Sequence, residues 1–238
     1  MSSNAVKRII NKDMKELKKM DLESLGIYIE FDEDNILNAK SIIIGPENTP
    51  YENGILNFII EFPKDYPFSP PKISYISRSR NRIHPNLYVG RSKDNYYGKV
   101  CLSIINTWSG PKWTTVMHIG SVLLSIQSLL NENPLHNEPG FENEISERVD
   151  NYTKIIEHEN FTIAINKMIE EPPLGFECFN TITQKYFIDN FEKIINKIDE
   201  LKKNDNKIIT SNFYNLKIKL NYKNTKKILE KLYKKLTI

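Results

Sequence analysis

Three short apolar runs, Ile27–Phe31, Ala39–Ile44 and Leu56–Phe62, follow one another with turn signals between them, and this spacing limits the fold more than any other feature. The second and third are separated by Gly45-Pro46-Glu47-Asn48-Thr49-Pro50-Tyr51-Glu52-Asn53-Gly54, whose Gly-Pro and Asn-Gly pairs mark turns. Strands joined by such turns pair antiparallel. A fourth run, Ile73–Ile76, comes after Tyr66-Pro67-Phe68-Ser69-Pro70-Pro71-Lys72, where the prolines forbid helix and set an extended path. The spacing therefore predicts a four-stranded antiparallel meander.

Helical periodicity lies on both sides of it. From Ala5 to Met20, Val6, Ile9, Ile10, Met14, Leu17 and Met20 recur at steps of three and four, with Lys7, Arg8, Lys15, Lys18 and Lys19 off the stripe. Residues Ser77 to Tyr97 are polar, basic and aromatic without a period and read as loop. Thr114–Leu130 reads as a helix burying Val116, Ile119, Val122, Leu123, Ile126, Leu129 and Leu130, with Thr114 or Thr115 as its cap. One or two helices fill residues 144–170. Glu171-Pro172-Pro173-Leu174-Gly175 then marks a boundary, so a core of residues 1–171 and an extension of 172–238 are expected. In the extension, Thr183–Lys203 suits a helix, Leu216–Leu220 a strand and Thr225–Leu236 a further helix. The class expected is α+β with a small, mostly helical C-terminal extension.

Composition excludes more than it selects. The 238 residues are 39% hydrophobic and 26% charged with a net charge of +3, an ordinary globular balance. No run approaches the ~18 apolar residues of a membrane span, and Met1-Ser2-Ser3-Asn4 does not open a signal peptide. Cys101 and Cys178 make no disulfide framework, which points to a reducing compartment. Cytoplasm, nucleus or both are expected, with no membrane partner. Phosphate-cradling Gly-rich loops and paired Cys/His zinc spacings are missing from the sequence, so no bound cofactor or metal is expected.

One cysteine stands out by its neighbours. Cys101 lies in Gly98-Lys99-Val100-Cys101-Leu102-Ser103-Ile104, after a polar loop that contains His84-Pro85-Asn86. Such a thiol is either a buried filler or a nucleophile. A cysteine hydrolase would need one of the histidines, His84 or His136 among them, poised on the sulfur.

An ordered set of segments resembles the ubiquitin-conjugating enzymes across about residues 5–170. It runs through Lys7-Arg8 and Met14–Met20, Ile44-Gly45-Pro46-Glu47-Asn48-Thr49-Pro50-Tyr51, Phe62–Lys72, His84-Pro85-Asn86 and Gly98–Leu102. Gly110-Pro111-Lys112-Trp113, Ser125–Leu129 and Asn137–Glu142 are similar to the larger Z-type and inhibitor-of-apoptosis-fused members.

The resemblance implies that Cys101 accepts ubiquitin, or a ubiquitin-like modifier, as a thioester from an activating enzyme. The acyl group then passes to a lysine amine of a protein substrate or to a ligase. ATP is used by the activating enzyme. A thiol with an ordinary pKa of ~8.5 already holds a few per cent thiolate near neutrality, which suits this exchange. Asn86 holds the active-site loop or donates to the oxyanion; His84 and Pro85 shape the turn. His136 falls where smaller members carry acidic residues, and either gates the attacking amine or caps its loop. Lys7 and Arg8 correspond to the helix that meets the activating enzyme, and Phe68 and Trp113 to the positions that meet ligases.

Two departures stand beside these matches. Trp113-Thr114-Thr115-Val116 lacks the proline common in the ligase loop. Asn86 and Cys101 are fifteen positions apart, against about eight in the family; the additional residues fall within Val89–Tyr97 and are either a contact surface or a tolerated insertion. The extension resembles that of the Z-type members in place and length. From Asn204 onward nine lysines stand against Asp205 and Glu230, yet without interleaved glycine and arginine they argue against nucleic acid as a partner. A non-catalytic module on the same fold is the remaining rival reading.

Overall fold

A computed structural model describes residues 4–90 and 97–238. The described residues divide into two compact units, one of residues 4–44, 56–77, 86–90 and 97–130, the other of residues 45–55, 78–85 and 131–238.

In the first unit the meander forms as the turn signals require. Strands β1 (Ile27–Phe31), β2 (Asn38–Ile44), β3 (Ile55–Glu61) and β4 (Lys72–Ile76) lie in chain order. Ile27 faces Ile43 across β1 and β2, and Phe58 faces Tyr75 across β3 and β4. A fifth strand, β5 (Tyr97–Lys99), adds antiparallel to β4 and extends the expected four strands to five. Its three residues are too few to show alternation, and Gly98 at its centre resembles a loop residue. That glycine is required by geometry: a Cβ there would stand 1.6 Å from the Tyr88 carbonyl oxygen.

Helix α1 covers residues 4–19, with a π-helical turn at Ile9–Asp13. Side chains three apart no longer superpose in such a turn. Ile9 and Asp13 accordingly face inward at 0% exposure, whereas Ile10, expected inside, is 47% exposed. Helix α2 is Ile119–Leu129 and starts later than expected. Residues 114–117 form a turn closed by Met117 N–H on the Thr114 carbonyl, which leaves Val116 exposed. His118 caps the helix, not Thr114 or Thr115: its Nδ1 accepts from Ser121 N–H. Gly120 lets the end of α1 come close, since a Cβ would meet Met20 Sδ at 2.6 Å.

The second unit is helical. Helix α3 covers residues 147–170, with a π-helical stretch at Asn160–Lys167. Helix α4 (Asn180–Leu201) is fixed to the turn at 45–55 by Tyr186 Oη donating to Asn53 and by Lys193 bridging Glu47 and Glu52. A hairpin of β6 (Ile208–Ser211) and β7 (Leu216–Lys219) follows, then helix α5 (Tyr222–Thr237). Phe191 of α4 stacks on Tyr233 of α5 at 3.9 Å. The lysines of α5 at 223, 227, 231, 234 and 235 stay exposed. Among the described residues no helix is long and apolar enough to cross a membrane.

One histidine ties α5 to α3. His158 is buried, and its Nε2 accepts from Asn221 N–H at 3.2 Å, just before α5 begins. Burial lowers its pKa below 6.5, while Asp205 pulls it upward. A base whose folded pKa lies below its unfolded value gives stability that is complete above the unfolded pKa and fades as pH falls toward the folded one. Acidification from pH 7 through about 6 is therefore expected to weaken this attachment. Amide exchange at the start of α5 should accelerate over that range, and His158→Gln should flatten the dependence.

Candidate active site

Cys101 is positioned by pairing between two backbone segments of the first unit. Tyr88 N–H donates to the Lys99 carbonyl at 3.0 Å, Leu87 bridges Val100, and Cys101 N–H donates to the Asn86 carbonyl at 2.8 Å. Asn86 Nδ2 returns a bond to the Cys101 carbonyl at 2.9 Å. Asparagine and cysteine are thus clamped to each other on both sides of one peptide register, fifteen positions apart in sequence. The extra chain within that interval includes residues 91–96, which lie outside the described residues.

Thr107, which belongs to no motif, adds a third constraint. Its Oγ1 accepts from Leu102 N–H at 2.8 Å and stands 2.8 Å from the Val100 carbonyl as donor. Both neighbours of Cys101 are therefore held by one hydroxyl. Cys101 is 1% exposed. A groove of about 470 Å³ in the same unit is lined by Tyr97, Gly98 and Val100, by Ile105 and Thr107 and by Pro70 and Pro71; the Cys101 side chain is not part of its lining.

The other predicted residues separate into exposed and internal ones. Phe68 is 75% exposed. Trp113 is buried, its Nε1 donating to the Pro67 carbonyl at 2.7 Å and its ring 5.8 Å from that of Tyr66, so it supports the link that presents Phe68. Lys7 is exposed. Arg8 turns inward, donating to Asp13 Oδ2 at 3.2 Å and to the Met117 carbonyl at 2.6 Å. Asp13, which sequence reasoning passed over, also accepts from Tyr66 Oη at 2.6 Å and from Ile119 N–H at 3.0 Å. Burial, and then the Asp13 carboxylate beside it, push the Tyr66 phenol well above its ordinary pKa.

In the second unit His84 and Pro85 are buried, the His84 ring 6.0 Å from that of Tyr51. His136 lies in the short helical turn Pro134–Asn137, a ring nitrogen 2.9 Å from the Glu144 carbonyl. Arg82 donates to the carbonyls of His84 and Pro85.

A five-stranded antiparallel sheet between helices, with a single cysteine clamped by an asparagine at the end of its last strand, defines a thiol-centred α+β scaffold. The sequence model described as ubiquitin-conjugating enzyme matches residues 9–162. The chain belongs to that family. Ubiquitin-conjugating enzyme E2 Z of Danio rerio is 39% identical over 170 residues, covering 70% of this chain and 50% of the relative. Its Homo sapiens counterpart is 38% identical over 170 residues, covering 70% and 46%. The dual E2 ubiquitin-conjugating enzyme/E3 ubiquitin-protein ligase BIRC6 of Homo sapiens is 35% identical over 176 residues, 69% of this chain and 3% of that protein. These similarities place the chain on the Z-type branch, and it spans about half the length of the E2 Z relatives it matches.

Proposed function

We propose that this protein carries ubiquitin, or a ubiquitin-like modifier, as a thioester on Cys101 and transfers it to a lysine amine or to a ligase. The observation that carries the reading is the reciprocal clamp between Cys101 and Asn86. In loading, the Cys101 thiolate attacks the activating enzyme's thioester carbonyl; the new C–S bond forms as the old one breaks and the activating enzyme's thiolate leaves. In discharge, a neutral amine attacks, its proton passes to an acceptor, and Cys101 leaves as thiolate. ATP is consumed by the activating enzyme, and this chain needs no cofactor or metal of its own.

The burial of Cys101 supports a carrier over a hydrolase, because a water-poor pocket protects a thioester from hydrolysis. Asn86 Nδ2 donates to the Cys101 carbonyl, and a side-chain amide is a group able to donate to an oxyanion. His136 sits on the loop assigned to handling the amine. Phe68 and the exposed lysines of α1, Lys7 among them, are the surfaces proposed for ligase and activating enzyme. The partners are then the modifier, those two enzymes and protein substrates, in cytoplasm or nucleus; residues 172–238 form the extension of this catalytic core.

The test combines the protein with activating enzyme, ubiquitin and ATP and follows modification of free lysine. Asn86→Ala is expected to load at a rate close to that of the wild type and to discharge about 10²-fold more slowly, the effect of losing one preorganised donor. Discharge at the wild-type rate would remove Asn86 from the chemistry.

A further inference from the structure

We propose that Tyr214 and Arg82 are positioning residues for acyl transfer, through which the C-terminal extension holds the His84-Pro85-Asn86 turn. The proposal rests on the thioester reading above. Tyr214 lies beyond the segment matched by the family model, which ends at residue 162.

The geometry is a relay within the second unit. The Arg82 guanidinium lies 4.2 Å from the centre of the Tyr214 ring, and its nitrogens donate to the carbonyls of His84 and Pro85. A planar cation with forked donors can grip two successive carbonyls while its face remains free for an aromatic ring. The residue that follows Pro85 is Asn86, the partner of Cys101. On its other side, Tyr214 Oη donates to Glu138 Oε2, at the end of the Pro134–Asn137 turn that carries His136. One side chain of the extension thus ties together both segments proposed to serve the reaction.

The extension is shaped to deliver that side chain. Tyr214 and Asn215 have φ of 58° and 53°, a left-handed conformation that non-glycine residues adopt when their surroundings impose it. The surroundings are aromatic and cationic. Phe213 meets Phe141 edge-on at 4.8 Å, Arg148 covers Phe213 at 4.8 Å, and the Tyr152 ring lies 5.7 Å from that of Tyr214. Tyr152 Oη also donates to the Arg82 carbonyl at 3.1 Å, so the backbone of Arg82 is fixed as well as its side chain. Loosening the ring over Arg82 therefore leaves the guanidinium free to leave the two carbonyls, and the error passes along the chain to Asn86.

Loading and discharge separate this role from a merely structural one. The full-length protein is loaded with ubiquitin by activating enzyme and ATP, the enzyme is quenched, and discharge to free lysine is followed over a range of lysine concentrations. Tyr214→Ala and Arg82→Lys are expected to load within about twofold of the wild type and to lower the limiting discharge rate about tenfold, as expected when a catalytic group is misplaced by a fraction of an ångström. Half-saturating lysine should not change. Tyr214→Phe keeps the ring over Arg82 and is expected to recover most of the rate.

Discharge within about twofold of wild type for both Tyr214→Ala and Arg82→Lys overturns the proposal. So does a parallel fall of loading, discharge and melting temperature, or a failure of Tyr214→Phe to restore the rate. Should Tyr214→Ala not fold, Arg82→Lys decides. If the wild type forms no thioester, the reading beneath the relay is lost with it; a wild type that loads and discharges beside unaffected variants loses the relay alone.

Discussion

Cys101→Ala is expected to abolish transfer of the modifier, a loss on the order of 10⁴-fold or more, because removing a covalent nucleophile leaves only what binding and orientation supply. The other cysteine offers no substitute. Cys178 is exposed, lies in the other unit, and its Sγ stands 3.8 Å from the Gly175 carbonyl. Cys178→Ala should therefore leave the rate unchanged. Cys101→Ser sharpens the test: a hydroxyl is a far weaker nucleophile, and the product it slowly accumulates is an oxyester that resists thiols. Transfer assays with the three variants check this, read against melting curves to confirm that each protein is folded. Transfer by Cys101→Ala at more than a few per cent of the wild-type rate would move the chemistry elsewhere.

The second large effect belongs to a residue remote from any bond-making. Asp13→Ala is expected to destabilise the protein by about 3–5 kcal/mol, the usual consequence of removing one partner from a buried ion pair. The Asp13 carboxylate is 0% exposed and serves three donors: Arg8 Nε, Tyr66 Oη and the first amide of α2 at Ile119. Alanine leaves a part-buried guanidinium, a buried phenol and a helix N-terminal amide without their acceptor, although Arg8 retains its bond to the Met117 carbonyl. Asp13→Asn keeps an acceptor of the same shape and should cost less. Urea unfolding measures the difference, with the midpoint shifted and the slope preserved. A change under about 1 kcal/mol would show that the donors find other partners. The loss should also disturb the link that carries Phe68, since Tyr66 precedes the Pro67 whose carbonyl Trp113 holds.

The sheet was readable almost residue by residue, because apolar runs bounded by Gly, Pro and Asn leave few alternatives. Strands β1 to β4 moved by one residue at most from their expected bounds. β5 was not readable, since three residues centred on a glycine carry no period. The start of α2 was misjudged for a different reason. Val116 fits the helical stripe, but the turn at 114–117 is closed locally, and the amide of Ile119 is capped by Asp13 from 106 positions away. Local periodicity carries no trace of a partner that distant.

The site was legible unequally. His84-Pro85-Asn86 and Cys101 were visible as motifs only through the resemblance; nothing in the spacing alone shows that Asn86 and Cys101 exchange backbone and side-chain bonds. Thr107, Arg82 and Tyr214 left no signal, because each acts on backbone carbonyls or on rings brought near by the fold. Arg8 shows the converse. The resemblance matched it to the helix that meets the activating enzyme, and the fold turns it inward to Asp13.

The thioester on Cys101 is the step on which the proposed function depends. Incubation of the full-length protein with activating enzyme, ubiquitin and ATP, resolved on gels with and without reductant, should show one added modifier that reductant removes and that is missing in Cys101→Ala. Intact mass and peptide mapping should place the bond on Cys101. An adduct that survives reductant, one that persists in Cys101→Ala, or no adduct with any modifier tried would contradict it.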